Sequence, residues 1–203
     1  MLELKYDPYN LIITGVGGQG NVMSSRIIGN MMALKGFYVT IGETFGASQR
    51  GGSVMSHVRI STKDTVSPQI PKGKAHMIVS LEPSETIRVL MDYGNPDIQV
   101  ITNTRPTHPI GVISGQAEYP SDENIKSWIN EISSKAWFFD ATEMAVKIGH
   151  PIFSNIIMAG ALAATNELPL DRDIFETIMN TKFNPDKVMS NLEAYDRGVA
   201  SIV

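Results

Sequence analysis

Four glycines crowd the stretch N-L-I-I-T-G-V-G-G-Q-G from Asn10 to Gly20, and they are the residues whose type and spacing promise chemistry. At Gly15, Gly17, Gly18 and Gly20 no side chain keeps a phosphate or a second backbone at a distance. If the turn opens a helix, its unpaired N–H groups and the helix dipole favour an anion. Gly15-x-Gly17-x-x-Gly20 has the spacing of a dinucleotide-binding turn, and Glu43 lies 23 residues past Gly20, close to where an acidic residue would hold a ribose hydroxyl. The same spacing serves a purely structural turn, and no residue pair suited to hydride transfer accompanies it. A second candidate is Arg50-Gly51-Gly52, where a guanidinium fork beside flexible backbone suits a phosphate or carboxylate. An arginine in a surface turn would look the same.

Other reactive side chains are scattered. His57, His76, His108 and His150 show no metal-ligand spacing, and ordinary structural or surface roles account for each. Ser24, Ser25 and Ser53 have no base nearby in sequence and read as helix and turn residues. Asn155, inside an apolar run, must satisfy its amide, and a hydrogen bond in the core or at an interface is the simplest way. The sequence therefore offers no catalytic residue and no metal site. It contains no cysteine, which excludes disulfides, cysteine nucleophiles and cysteine-ligated iron–sulfur clusters within this chain.

The elements that position the glycines follow from periodicity. Leu11, Ile12 and Ile13 form an apolar run suited to a strand buried on both faces. Met23, Ile27, Met31 and Leu34 then recur at helical period, so the glycines sit in a strand-to-helix turn. Gly36 stops that helix, and Phe37 to Ile41 is rich in β-formers, completing a Rossmann-like opening. Gly42 to Gly52 reads as a functional loop. Val54 to Ser61 follows as a strand, and the link before it is too short for a parallel crossover, which predicts a mixed sheet.

Lys63 to Lys74 is a polar loop. Met77 to Leu81 and Ile98 to Thr102 are further strands, with a helix between them that begins at Pro83. Gly111 to Ser114 reads as a short strand, Ser121 as the N-cap of a helix carrying Ile125 and Ile129, and Trp137 to Asp140 as the last inner strand. Residues 141–148 form a short helix and Pro151 to Thr165 a buried one whose small residues permit close approach of another element. Two amphipathic helices, from Asp171 and from Asn184-Pro185, end the chain. The expected fold is α/β: a three-layer Rossmann-like arrangement with a mostly parallel, mixed sheet and a helical C-terminal end, in one domain over residues 1–203.

At 203 residues and 22.2 kDa the chain can bury roughly 70% of its unfolded surface. Its formal charge of −4 and the absence of a Lys/Arg run argue against nucleic acid as a partner. No apolar run approaches a membrane span and the first residues lack a signal-peptide pattern, so the expected location is cytoplasmic. The 11 methionines suit core filling or adaptable subunit contacts.

G-V-G-G-Q-G at 15–20, G-E-T-F-G-A-S-Q-R-G-G at 42–52, the strand V-M-S-H-V-R-I at 54–60 and the small-residue helix after Asn155 together resemble the gamma domain of 2-oxoacid:ferredoxin oxidoreductases. As a separate chain of this length it is most similar to the beta subunits of the indolepyruvate branch. The resemblance implies a subunit, inactive without its partner, of an enzyme that oxidatively decarboxylates aryl 2-oxoacids such as indolepyruvate to acyl-CoA and reduces ferredoxin. Thiamine diphosphate and [4Fe-4S] clusters would lie on a large alpha subunit, in keeping with the missing cysteines, and ferredoxin would be met through the complex. It also recasts the glycine turn. Gly17, Gly18, Gln19, Gly20 and Asn21, with Arg50, Gly51 and Gly52, would face the partner and receive the phosphates of coenzyme A. Three alternatives stay open: a gamma subunit of a pyruvate, 2-oxoglutarate or branched-chain enzyme, an independent NAD-dependent dehydrogenase using Glu43, and a structural assembly module.

Overall fold

The computed structural model describes residues 3–46 and 52–202. Within them six strands make one sheet: β1 (Tyr9–Val16), β2 (Tyr38–Phe45), β3 (Ser53–Ser61), β4 (Met77–Ser80), β5 (Gln99–Asn103) and β6 (Lys135–Phe139), in the order β2-β3-β1-β4-β5-β6. β1, β4, β5 and β6 run parallel, while β3 is antiparallel to both β1 and β2. The sheet is therefore mixed, as the short link before β3 predicts.

Alternation along the strands sends successive side chains to opposite faces. Leu11, Ile13, Val58, Ile60 and Val79 share one core with α1 (Asn21–Leu34), α6 (Ser154–Ala164), α7 (Arg172–Lys182) and α8 (Pro185–Val199). Ile12, Ile78 and Val100 face the other core, covered by Val89 and Leu90 of α2 (Pro83–Tyr93) and by Ile125 and Ile129 of α4 (Asp122–Ile132). Helices on both faces of a mixed sheet make the expected three layers. Among the described residues no helix is long and apolar enough to cross a membrane.

The small residues of α6 do what their size predicts. A Cβ on Gly160 would come 2.1 Å from the carbonyl oxygen of Tyr195, and one on Gly198 would come 1.9 Å from that of Ile157. Two facing glycines thus let α6 and α8 meet backbone to backbone.

Several expectations are corrected. Gly42 to Phe45 are not loop but the second half of β2. Residues 111–114 are not a strand: α3 (Ile110–Ile113) is a helical turn, in which Pro109 O accepts N–H groups from Val112 and Ile113, closed by Gly115 at φ 73°. The segment 137–140 is a strand but not an inner one: Trp137 to Phe139 belong to β6, the edge strand of the sheet, and Asp140 caps α5 (Ala141–Ile148). Leu34 is 63% exposed, since the buried stripe of α1 runs through Ser24, Ile27, Ile28, Met31 and Met32.

The N-terminus of α2 anchors the loops around the sheet's carboxyl edge. Glu82, fully buried, caps α2: one carboxylate oxygen accepts Glu85 N–H at 2.9 Å and the Ser84 hydroxyl at 2.6 Å. Its other oxygen accepts Thr107 N–H at 3.3 Å and the Tyr119 hydroxyl at 2.5 Å. Burial above all, then this hydrogen bond, raises the Tyr119 pKa and keeps its hydroxyl protonated. Glu85 accepts the Ser53 hydroxyl at 2.7 Å at the start of β3, so Ser53 is a strand residue, not a turn residue.

Candidate functional site

β1 ends at Val16 and α1 begins at Asn21, so the glycine segment is a four-residue turn at the carboxyl edge of the parallel strands. That edge is where open α/β sheets place ligands. The turn is closed largely by its own groups. Val16 N–H donates to Gln19 Oε1 at 2.9 Å, Gln19 N–H to Val16 O at 3.3 Å, and Gly17 N–H to Gly52 O at 2.8 Å. Gln19 Nε2 reaches Leu81 O at 3.1 Å and the Thr107 hydroxyl at 3.3 Å, tying the turn to the ends of neighbouring loops.

The glycines divide by role. A Cβ on Gly15 would lie 2.5 Å from Gln19 Oε1 and 2.9 Å from Asn21 Oδ1, so this glycine makes room for the closing side chains. Gly20, at φ 88°, would meet Asn155 Nδ2 at 2.2 Å. Gly18 differs: at φ 103° it has none of the described residues within 4 Å of its missing side chain. An approaching group there meets bare backbone. Gly20 occupies the N-cap position of α1 without a side-chain cap, and Asn21 turns inward, donating to Val16 O at 3.2 Å while its buried Oδ1 has no partner among the described residues. Asn155, 2% exposed, takes Ser24's hydroxyl on its carbonyl at 3.3 Å and directs Nδ2 to Gly20 O at 3.5 Å. It is the core hydrogen-bonding residue the sequence suggests.

The hydrogen bond from Gly17 to Gly52 O brings Gly52 against the first glycine turn. Arg50 and Gly51 lie outside the described residues. Glu43 is placed elsewhere. β3 separates its strand from β1, and through Ser56 it stands level with Ile13, roughly 10 Å across the sheet. Among the described residues it pairs with Arg26, 3.9 Å away. The structure thus joins Gly15 to Asn21 with Gly52 and leaves Glu43 apart.

Beside Gly18 and Gln19 opens a cleft of about 320 Å³ that also involves Arg105, Thr107, Thr142, His150 and Ser154. Among the described residues no acidic side chain lines it. The sequence signals did not reveal this half of the edge: His150 reads as an ordinary structural or surface residue, and nothing between Thr102 and Gly111 stands out. Its parts come from four separate stretches of chain, and only the parallel order β1-β4-β5-β6 brings them together. His57 and His76 have the structural roles expected. His57 Nδ1 accepts Ile70 N–H at 3.3 Å, and His76 Nδ1 accepts Asn10 N–H at 2.9 Å under a stacked Tyr6. Burial holds both imidazoles below the usual range, His76 at about 4. Among the described residues no cluster of His, Asp or Glu is arranged to hold a metal ion.

Residues 10–201 match the family described as "Pyruvate ferredoxin/flavodoxin oxidoreductase". Indolepyruvate oxidoreductase subunit IorB of Pyrococcus horikoshii is 38% identical over 192 residues, covering 94% of each chain. The pyruvate/ketoisovalerate oxidoreductases common subunit gamma of Pyrococcus furiosus is 29% identical, covering 90% of this chain and 93% of its own. Among solved structures, 2-oxoglutarate:ferredoxin oxidoreductase from Magnetococcus marinus, with 2-oxoglutarate, coenzyme A and succinyl-CoA bound, superposes with a TM-score of 0.76 at 20% identity. The match covers 98% of this chain and 31% of that one.

Proposed function

Because this chain belongs to the pyruvate ferredoxin/flavodoxin oxidoreductase family, we propose that it is the cluster-free subunit of a thiamine-diphosphate-dependent 2-oxoacid:ferredoxin oxidoreductase acting on aryl 2-oxoacids such as indolepyruvate. The observation that carries this reading is the 38% identity to an indolepyruvate oxidoreductase subunit across nearly the whole of both chains, against 29% to a gamma subunit shared by pyruvate and ketoisovalerate enzymes. With no cysteine in the sequence, cysteine-ligated clusters belong on a large partner subunit together with thiamine diphosphate, whose chemistry is the decarboxylation of the 2-oxoacid and the release of electrons to the clusters. The role of this chain is to complete the site from the outside, delivering the acyl acceptor.

In this reading Gly17 to Asn21 and the Arg50–Gly52 loop face the partner and receive the diphosphate of coenzyme A. The bare backbone at Gly18 and the uncapped N-terminus of α1 support it. Glu43, a strand away from the turn, is poorly placed for the ribose contact that an NAD-dependent enzyme would need.

Affinity purification of the tagged chain from its own cells under strict anaerobiosis tests the reading. Expected is a brown complex with a large cysteine-rich, thiamine-containing chain that turns over indolepyruvate and phenylpyruvate faster than pyruvate or 2-oxoglutarate. A colourless solitary chain that binds NAD would overturn it. Arg50→Ala in the complex should raise the coenzyme A KM; an unchanged KM and turnover would leave this chain as an assembly module.

A further inference from the structure

We propose that β2 is an association edge, through which two copies of this chain pair antiparallel about a two-fold axis and join their sheets into one. β2 is an outer strand, bonded to β3 on one side alone. Which of its backbone groups face outward follows from a single bond. Gly46 N–H donates to Ser53 O at 2.7 Å, and these residues stand opposite each other when the β2–β3 register is continued by one step. Bonded pairs alternate with unbonded ones in an antiparallel ladder. Thr44, Gly42, Thr40 and Tyr38 therefore bond to β3, whereas the N–H and C=O groups of Val39, Ile41, Glu43 and Phe45 point away from the sheet. Among the described residues these outward groups have no hydrogen-bond partner.

Exposed sheet edges are ordinarily blunted by shortness, proline or lysine. The opposite edge of this sheet is treated that way, since β6 has five residues and opens with exposed Lys135. β2 has eight residues, Y-V-T-I-G-E-T-F, with no lysine, arginine or proline among them. Its one charge, Glu43, is met by Arg26 of α1 at 3.9 Å, so no net charge holds off a second copy. The atoms nearest Gly42 belong to Pro68 and lie where a Cβ would point, over the face of the strand and not along its edge.

The occupant is a second copy because the strand is complementary to itself. An axis perpendicular to the sheet keeps each face of the strand on its own side, so only residues that share a face stand opposite each other. Centred on Gly42, the register sets Phe45 against Val39 of the second copy, Thr44 against Thr40 and Glu43 against Ile41. Every outward N–H and C=O group of both strands is then used. Centred on Ile41 instead, it would carry Phe45 past the end of the second strand. On the axis Gly42 meets its own copy in an unbonded pair, where Cα atoms approach to about 4.5 Å and no side chain crowds them. Aromatic with β-branched and threonine with threonine are pairs that stabilise antiparallel strands. Phe45, 60% exposed in the single chain, gains an apolar neighbour in Val39. The pairing requires neither the glycine turn nor any ligand there.

Cysteine pairing of the full chain tests the register, and the absence of native cysteine leaves only the introduced thiols to react. Thr40 and Thr44 of opposite copies stand in unbonded pairs about 4.5 Å apart at Cα, a separation a disulfide spans. Within one chain the same two residues lie about 13 Å apart along the strand, too far to bridge. Mild oxidation should therefore link the Thr40→Cys/Thr44→Cys double variant into a covalent dimer and leave each single variant unlinked, because its thiol then faces a threonine. In sedimentation equilibrium the unmodified chain should reach twice its 22.2 kDa mass. Glu43→Pro removes one outward N–H from each copy while sparing the ladder to β3, and should weaken the dimer about 10- to 100-fold. Thr40→Lys/Thr44→Lys, which sets like charges opposite each other, should weaken it too and stands in if the proline variant does not fold. A chain that sediments as a monomer overturns the proposal. So does a double variant that oxidises no faster than the single ones. Repeated in the complex purified with the large partner, a disulfide to that partner in place of one between two copies would show that β2 receives a strand of another protein, and would overturn it as well.

Discussion

Gln19 folds back so that its Oε1 lies 2.9 Å from the N–H of Val16, in the space a Cβ on Gly15 would need, 2.5 Å from that oxygen. Glycine at 15 and glutamine at 19 are therefore one device. Gln19→Ala removes the acceptor of a part-buried backbone N–H and should cost about 1–3 kcal/mol. Gly15→Ala displaces the same side chain and should cost about as much. In a double-mutant cycle by urea unfolding the two costs should overlap instead of adding. Full additivity would show that the closure is not shared.

Gly18 and Gly20 both have positive φ, but only Gly20 is crowded. Gly18→Ala meets backbone strain alone, about 1–2 kcal/mol. Gly20→Ala adds a collision with buried Asn155 and should be the more destabilising by about 1 kcal/mol or more. Thermal melts of the two variants give the order directly; equal losses would contradict the contact.

The crossing of α6 and α8 depends on Gly160 and Gly198, each facing backbone within about 2 Å of where a Cβ would be. Alanine at either position must push the helices apart, because the obstructing atoms are carbonyl oxygens that no rotamer change can move. A loss of about 3 kcal/mol or more is expected. Ala163→Gly, half-buried on the same helix, should cost only about 1 kcal/mol.

Glu82 is fully buried and accepts from four donors without a cationic partner among the described residues. Glu82→Gln preserves its size but turns an NH₂ group toward two of those donors, at a cost of about 2–4 kcal/mol. Tyr119→Phe removes one donor and should cost about 1–2 kcal/mol. Limited proteolysis should cut the 104–121 segment faster in both variants; unchanged rates would mean that Glu82 does not hold it.

His76 is held neutral in the folded chain, with its pKa depressed to about 4, chiefly by burial, from an ordinary 6.5. The unfolded chain takes up the proton first, so stability is fully present above about pH 6.5 and is lost as pH falls toward 4. Half-burial tempers the shift, and a loss of about 1–2 kcal/mol between pH 7 and pH 5 is expected from this group. His57, also depressed, adds in the same direction. His76→Gln keeps an acceptor for Asn10 N–H and should flatten the acid limb of urea unfolding. An unaltered slope would assign the acid sensitivity elsewhere.

The order of elements, the three-layer fold, the mixed sheet and the position of the glycine turn were all legible in the residues, because each rests on local signals. Apolar runs, helical spacing, Ser121 and Pro83 at helix starts and a link too short for a crossover act within a few residues of themselves. The misreadings at 111–114 and at β6 have the same origin. A short apolar run carries no period, and the edge of a sheet is defined by what fails to pair with it. The insertion of β3 between β1 and β2, which parts Glu43 from the glycines, and the gathering of Arg105, Thr142, His150 and Ser154 into one cleft were decided only by the tertiary structure. Those residues are single polar side chains spread along 50 positions of sequence. They acquire a common meaning when parallel strands bring the loops that follow them to one edge of the sheet.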